Sequence, residues 1–342
     1  LSGIDQLQFI ICCGTFHFMT RNLNRKILNF LLTVSSLCFC GEVDHYLAWG
    51  QSLVDASEIL NSKINEIINS TLQSLPKDCS CEEAAGKVLS GFGVSLNSKF
   101  EKWIKETEKV DKFMPNINLA LRESIFSDHD SKWSQIERAY FTIQLDEIIN
   151  VGGIYIGLDK LTHFTGSGYL YYKTYQFSKK AGSRNPFGMA IKIGIAGEKT
   201  VIGRMATGVF SYGDLEANYQ GFKFGIDMCE GNNPYLHKSK DGWEFSRIFD
   251  INSYVNPNWD ESYNPSFYYD GLNIMLSPKS TIVQKNIPDF CDVYRSSFVI
   301  DQFRFYDSIE YRSASFYHLD SLISIGDLPN PSIYNIKNIC KD

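Results

Sequence analysis

Several features that would announce a function are missing from this chain of 342 residues. Beyond one run near the N-terminus, no apolar stretch approaches the roughly 20 residues that a bilayer-spanning helix needs. There is no basic stripe and no interleaving of basic with aromatic residues. The 33 Lys and Arg are outnumbered by 39 Asp and Glu, for a net charge of −6, which argues against a nucleic-acid partner. No CxxC or HxxxH pair is present, and Cys79-Ser80-Cys81 is spaced too tightly for a zinc knuckle, so a structural metal site is not expected. No cofactor is expected either. Internal repeats and low-complexity tracts are absent.

What is present begins at Met19. Met19-Thr20-Arg21-Asn22-Leu23-Asn24-Arg25-Lys26 forms a basic leader, and Ile27 to Phe39 is an apolar run too short for a stable anchor. Cys38-Phe39-Cys40 ahead of Gly41 supplies small residues at the −3 and −1 positions of a cleavage site. Residues 19–40 therefore read as a secretory signal peptide and residues 1–18 as an upstream, non-structural segment. The mature chain is expected to be periplasmic or secreted, with no stable membrane anchor. Export leaves Cys79, Cys81, Cys229, Cys291 and Cys340, an odd number, so one or two disulfides and a leftover thiol are expected.

Apolar spacing predicts a mainly α protein (α+β) with short β-hairpins. One helix is read from Val43 to Leu75, stopped by Pro76. Others are read at Glu82–Leu89, Phe100–Val110, Ile117–Ile125 and Ser131–Ile149. Gly152-Gly153 between β-formers predicts a tight hairpin. Asp159 is expected to cap a long helix from Lys160 to about Lys180, in which Gly166 and Gly168 would admit another backbone closely. Asn185-Pro186 opens the next helix. A helical core over 41–233 is followed by an Asn-, Ser-, Tyr- and Pro-rich extension, 234–342, expected to wrap it with little regular structure.

Three constellations could carry chemistry. Glu198 closes an apolar helix whose neighbours Ile193, Ile195, Val201, Ile202 and Met205 could hold its carboxyl protonated, as a general acid requires. After the β-like piece at Val209 come Ser211, Tyr212 and Asp214. The competing reading makes Asp214 a helix N-cap, Ser211-x-x-Asp214 a capping box and Glu198 a solvated residue. Asp159 and His163, four apart on one helix face, suit an Asp-oriented base, two metal ligands or a polar network. Glu147, with Asp159 twelve positions on, forms a third, lower-ranked carboxylate pair.

The stretch Asp214-Leu215-Glu216-Ala217-Asn218-Tyr219-Gln220-Gly221-Phe222 resembles the helix that follows the active-site hairpin in lytic transglycosylases and goose-type lysozymes. Asn218 stands where those enzymes have Gly, and Lys199 rather than Ser follows Glu198. The wider set DKLTHF, GIYIG and ATGVFSYGDLEANYQG, over about residues 45–270, resembles exported divergent lysozymes of predatory bacteria that cut deacetylated peptidoglycan. The resemblance implies a lysozyme-like core, Glu198 as general acid and a sugar groove lined by Tyr212, Asp214 and Asn218; Ser211 and His163 are further candidate substrate contacts, and Asp214 is also a candidate second carboxylate. The expected partner is then a peptidoglycan glycan strand. The alternatives are a metal-dependent hydrolase at Asp159, His163 and Asp214, or a non-enzymatic envelope protein whose two motifs are helix caps and interhelix contacts.

Overall fold

The computed structural model describes residues 42–93, 98–128, 145–200, 203–240, 242–271 and 278–341. The expected signal peptide and most of the helix expected at Ser131–Ile149 lie outside these residues. The described residues belong to one compact unit, mainly α, with three two-stranded antiparallel pairs.

The first helix, α1, runs Ser57–Gln73 and buries Leu60, Ile64, Ile68 and Leu72, an i, i+4 stripe on one face. It is shorter than the helix expected from Val43. Asp44 accepts the Tyr46 N–H to start an isolated 3-10 turn at His45–Ala48, and Asp55 accepts the N–H of Ser57 and of Gly152. Side-chain acceptors at both points offer the backbone an alternative to a continuous helix. Next come α2 (Cys81–Gly91), opened by a complete Ser80/Glu83 capping box, α3 (Lys99–Glu106) and α4 (Ile117–Glu123).

Strands β1 (Ile148–Val151) and β2 (Ile154–Gly157) form the expected hairpin, with Gly152 at φ 62° and Gly153 at φ 86°. Such a turn needs two residues free to adopt positive φ. Ile148 and Ile149, expected at the end of a helix, are therefore strand residues; the pairing of Ile148 with Gly157 and of Ile149 with Ile156 prevails over their helical spacing.

The chain leaves β2 directly into α5 (Leu158–Thr162), passes one π-helical turn at His163–Ser167 and continues as α6 (Gly168–Lys180). Helix α7 (Pro186–Lys199) starts with the expected Asn185 cap and first-turn proline and carries Glu198 near its end. Strand β3 (Val209–Phe210) leads to α8 (Tyr212–Asp227), the most buried helix. Helices α5/α6 and α8 cross in backbone contact: a Cβ on Gly168 would meet Gly221 at 2.7 Å, and one on Gly221 would meet the Phe164 carbonyl at 1.7 Å. The glycine-permitted approach expected at Gly168 is thus where these helices cross.

The extension packs on this core. It holds its own hairpin, β4 (Leu236–Lys238) with β5 (Trp243–Phe245), and β6 (Phe267–Tyr268) pairs with β3 to tie it down. The Phe164 ring is surrounded by Phe224 of α8 and by Phe249, Tyr254 and Trp259 of the extension. Beyond residue 278 the wrap is more regular than its composition suggests: α9 (Lys279–Asn286), α10 (Cys291–Tyr294), α11 (Ser297–Ile309), α12 (Ala314–Ser324) and α13 (Ile336–Ile339). Its Ser and Asn residues are helix caps: Ser296, Ser313 and Asn335 each accept a first-turn N–H.

Two disulfides join Cys81 to Cys229 and Cys291 to Cys340, leaving Cys79 a half-buried thiol. Among the described residues no helix is long and apolar enough to cross a membrane.

Candidate functional site

The helix crossing at Gly168 and Gly221 sets His163 against α8. His163 Nε2 lies 3.2 Å from Asp214 Oδ2, and its Nδ1 lies 2.9 Å from Asn218 Oδ1. Asp214 and Asn218 are four apart, so they share the face of α8 turned to α5. Both ring nitrogens face oxygen acceptors, and a doubly protonated ring would satisfy both.

Lys160, one residue after Asp159, is the hub. Its ammonium, 1% exposed, lies 2.5 Å from Asp159 Oδ2, 2.7 Å from Asp214 Oδ1 and 3.0 Å from Glu261 Oε1. Glu261 comes from the extension and also accepts the Ser211 hydroxyl at 2.6 Å. Glu198 arrives from the end of α7, and its Oε2 accepts the Ser211 N–H at 3.3 Å.

One ammonium and one imidazole therefore face four carboxyl groups, three of them buried and the Asp214 side chain 15% exposed, which cannot all be ionised at low cost. Burial raises Glu198 well above the usual carboxylate range, and the neighbouring Asp214 charge pushes it the same way. Burial also raises Asp159, to about 8, with Lys160 opposing. Asp214 goes the other way: burial would raise it, but the His163 and Lys160 charges and hydrogen bonds hold it well below its ordinary value. Lys160 loses hydration on burial, yet Asp159, Asp214 and Glu261 keep it firmly protonated.

The structure thus brings together Asp159, His163, Glu198, Ser211, Asp214 and Asn218, six of the eight residues singled out from sequence. It separates the other two. Glu147 is half-buried near Lys112, at 3.9 Å. Tyr212 projects from the opposite face of α8, where its hydroxyl donates to the Pro329 carbonyl and its ring packs on Phe210. Tyr212 is therefore not in one groove with Asp214 and Asn218, since two positions along a helix turn the side chain through about 200°.

Two capping expectations are corrected. The α5 N-cap position is Gly157, and Asp159 is the second helical residue, turned inward to Lys160. The α8 cap is Ser211, whose hydroxyl accepts the Asp214 N–H at 3.0 Å, so Asp214 is free to serve the centre. Lys160 and Glu261 were not anticipated. A lysine between Asp159 and His163 was the available signal for the first; for Glu261, 47 positions after Asp214 in an irregular segment, no periodicity pointed inward.

Ligand atoms of Asp159, His163 and Asp214 all lie within 4.8 Å of one another, a spacing that a metal could use. The donor set fits a metal poorly, because the Lys160 ammonium already contacts both carboxylates and supplies the positive charge.

No family model, no curated protein and no solved structure is detectably similar to this chain.

Proposed function

We propose that this chain is an exported hydrolase of peptidoglycan glycan strands in which Glu198 is the general acid. The observation that carries the reading is that Glu198 and Asp214 meet at Ser211, whose N–H donates to Glu198 Oε2 and whose hydroxyl accepts the Asp214 N–H, with burial raising Glu198 and His163 and Lys160 lowering Asp214. Glycoside cleavage uses that asymmetry: an acid that still holds its proton near neutral pH, and a carboxylate that stays ionised. Glu198 gives its proton to the glycosidic oxygen as the bond to the anomeric carbon breaks. Asp214 balances the positive charge that develops on the sugar ring. A water then adds to that carbon and returns a proton to the Glu198 carboxylate. Two disulfides support export together with the leader at Met19, since such bonds persist in oxidising compartments.

A second reading is favoured by the burial itself. Glu198 is 3% exposed and Lys160 1%, and the Lys160–Glu261 pair ties the extension to the core. On that reading the centre is a structural latch of an envelope protein. Muropeptide release from purified sacculi separates the two. Glu198→Gln keeps volume and hydrogen bonding but removes the transferable proton, and should lower the rate by about 10²- to 10⁴-fold. A folded variant that cleaves at the wild-type rate, or a wild type that releases nothing, favours the latch.

A further inference from the structure

The opposite face of α8 borders a groove of about 770 Å³, closed on its other sides by α11, α12 and the 330–335 turn. That volume lies within the range of small-ligand sites. Tyr212 and Glu216 form its floor from α8. Glu216, only 2% exposed, has its carboxyl fixed in one orientation: Gln220 Nε2 donates at 2.7 Å, Asn256 Nδ2 at 3.0 Å and Ser313 Oγ at 2.5 Å. Gln220 Nε2 also donates to the Tyr311 hydroxyl at 2.8 Å, so floor and rim belong to one hydrogen-bonded network.

The rim exposes what a fold ordinarily hides. Tyr317 is 61% exposed and Tyr311 37%, while most of the other large rings among the described residues are in or against the core. Glu310, between α11 and α12, is the one non-glycine residue with positive φ among those described, at 48°, and it also lines the groove. The charges leave an acidic excess. Glu216 is buried and hydrogen-bonded, while Asp307, Glu310 and Asp320 face Arg312 and Lys337, and Lys337 already pairs with Asp307 at 3.1 Å.

We propose that this groove binds an uncharged carbohydrate. A pyranose has an apolar face that stacks on tyrosine and a rim of hydroxyls that needs fixed donors and acceptors, and the groove supplies both. Its acidic excess is wrong for a phosphate-bearing ligand. The assignment rests on the groove alone and stands whether or not Glu198 cleaves anything.

The test uses the full chain carrying Glu198→Gln, so that cleavage cannot confuse the readout, and chitotetraose as the probe. Titration calorimetry should show saturable binding, weakened about tenfold by Tyr317→Ala and again by Tyr311→Ala. The Tyr317 ring is mostly in solvent, so its variant should fold, and Tyr311→Phe, which keeps the ring, controls for loss of the Gln220 hydrogen bond. Chemical-shift changes on titration should concentrate on Tyr311, Tyr317 and Glu216. Absence of binding, or binding that both alanine variants leave unchanged, overturns the assignment. Loss of sacculus cleavage would bear on the acid-base centre instead, and is read separately.

Discussion

The two faces of α8, among the described residues, differ sharply in what they carry. One carries Asp214 and Asn218, turned into a dry space with His163, Lys160, Glu198 and Glu261. The other carries Tyr212 and Glu216, at the floor of an open groove rimmed by exposed tyrosines. The first face gathers mostly buried charge, and the second leaves tyrosine surface in solvent. Stability alone favours neither arrangement: buried ion networks are often improved by apolar replacement, and exposed rings forgo burial. One helix thus holds two groups of residues that packing does not explain, one suited to proton chemistry and the other to holding a ligand.

The largest effect expected from this contrast is at Lys160. Lys160→Met removes the ammonium that Asp159, Asp214 and Glu261 now contact and leaves the low-lying Asp214 carboxylate without it, which should cost about 3–5 kcal/mol in urea unfolding. A change near zero would mean that the centre is wet and the dry face is misread.

A smaller effect is expected from pH. The Asp159 carboxyl rises from its ordinary 3.8 to about 8 in the fold, so the folded state holds a proton there that the unfolded state gives up. The stability associated with that proton is full below pH 4 and is lost as pH rises toward 8. Asp159→Asn should flatten the fall in stability across this window, measured by denaturant midpoints at successive pH values. An unchanged slope would show that Asp159 is ionised in the fold.

The smallest effect is expected on the wet face. Tyr317→Ala should leave the unfolding free energy within about 0.5 kcal/mol, because the ring is mostly in solvent. A loss of several kcal/mol would make the exposed rim a packing surface after all.

The dry face was largely legible in the sequence, and the wet face was not. Asp159 and His163 sit four apart on one turn, Asp214 and Asn218 four apart on another, and helical periodicity alone places each pair on a common face. Glycines at 168 and 221 then permit the crossing that joins the pairs. Glu261 escaped notice because it enters from an irregular segment with no period to read. The groove escaped because its far walls, α11 and α12, lie in a stretch whose Ser and Asn residues suggested loops but act as helix caps at Ser296 and Ser313. Tyr212 was assigned to the same groove as Asp214 for the opposite reason: proximity in sequence was read as proximity in space, across a helix that turns them apart. The helix expected from Val43 failed where Asp44 and Asp55 hydrogen-bond the backbone locally, a contest that apolar spacing does not register.

The central claim is that the two faces of α8 divide the work, cleavage on the charged face and ligand holding on the aromatic one. It is tested most directly by measuring chitotetraose affinity and sacculus cleavage on the same preparations of Glu198→Gln and Tyr317→Ala. The account predicts that Glu198→Gln loses cleavage by about 10²-fold or more and binds chitotetraose as the wild type does. Tyr317→Ala should lose affinity while still cleaving at saturating substrate. A Glu198→Gln variant that cleaves normally, or one whose affinity falls together with its rate, would contradict the division.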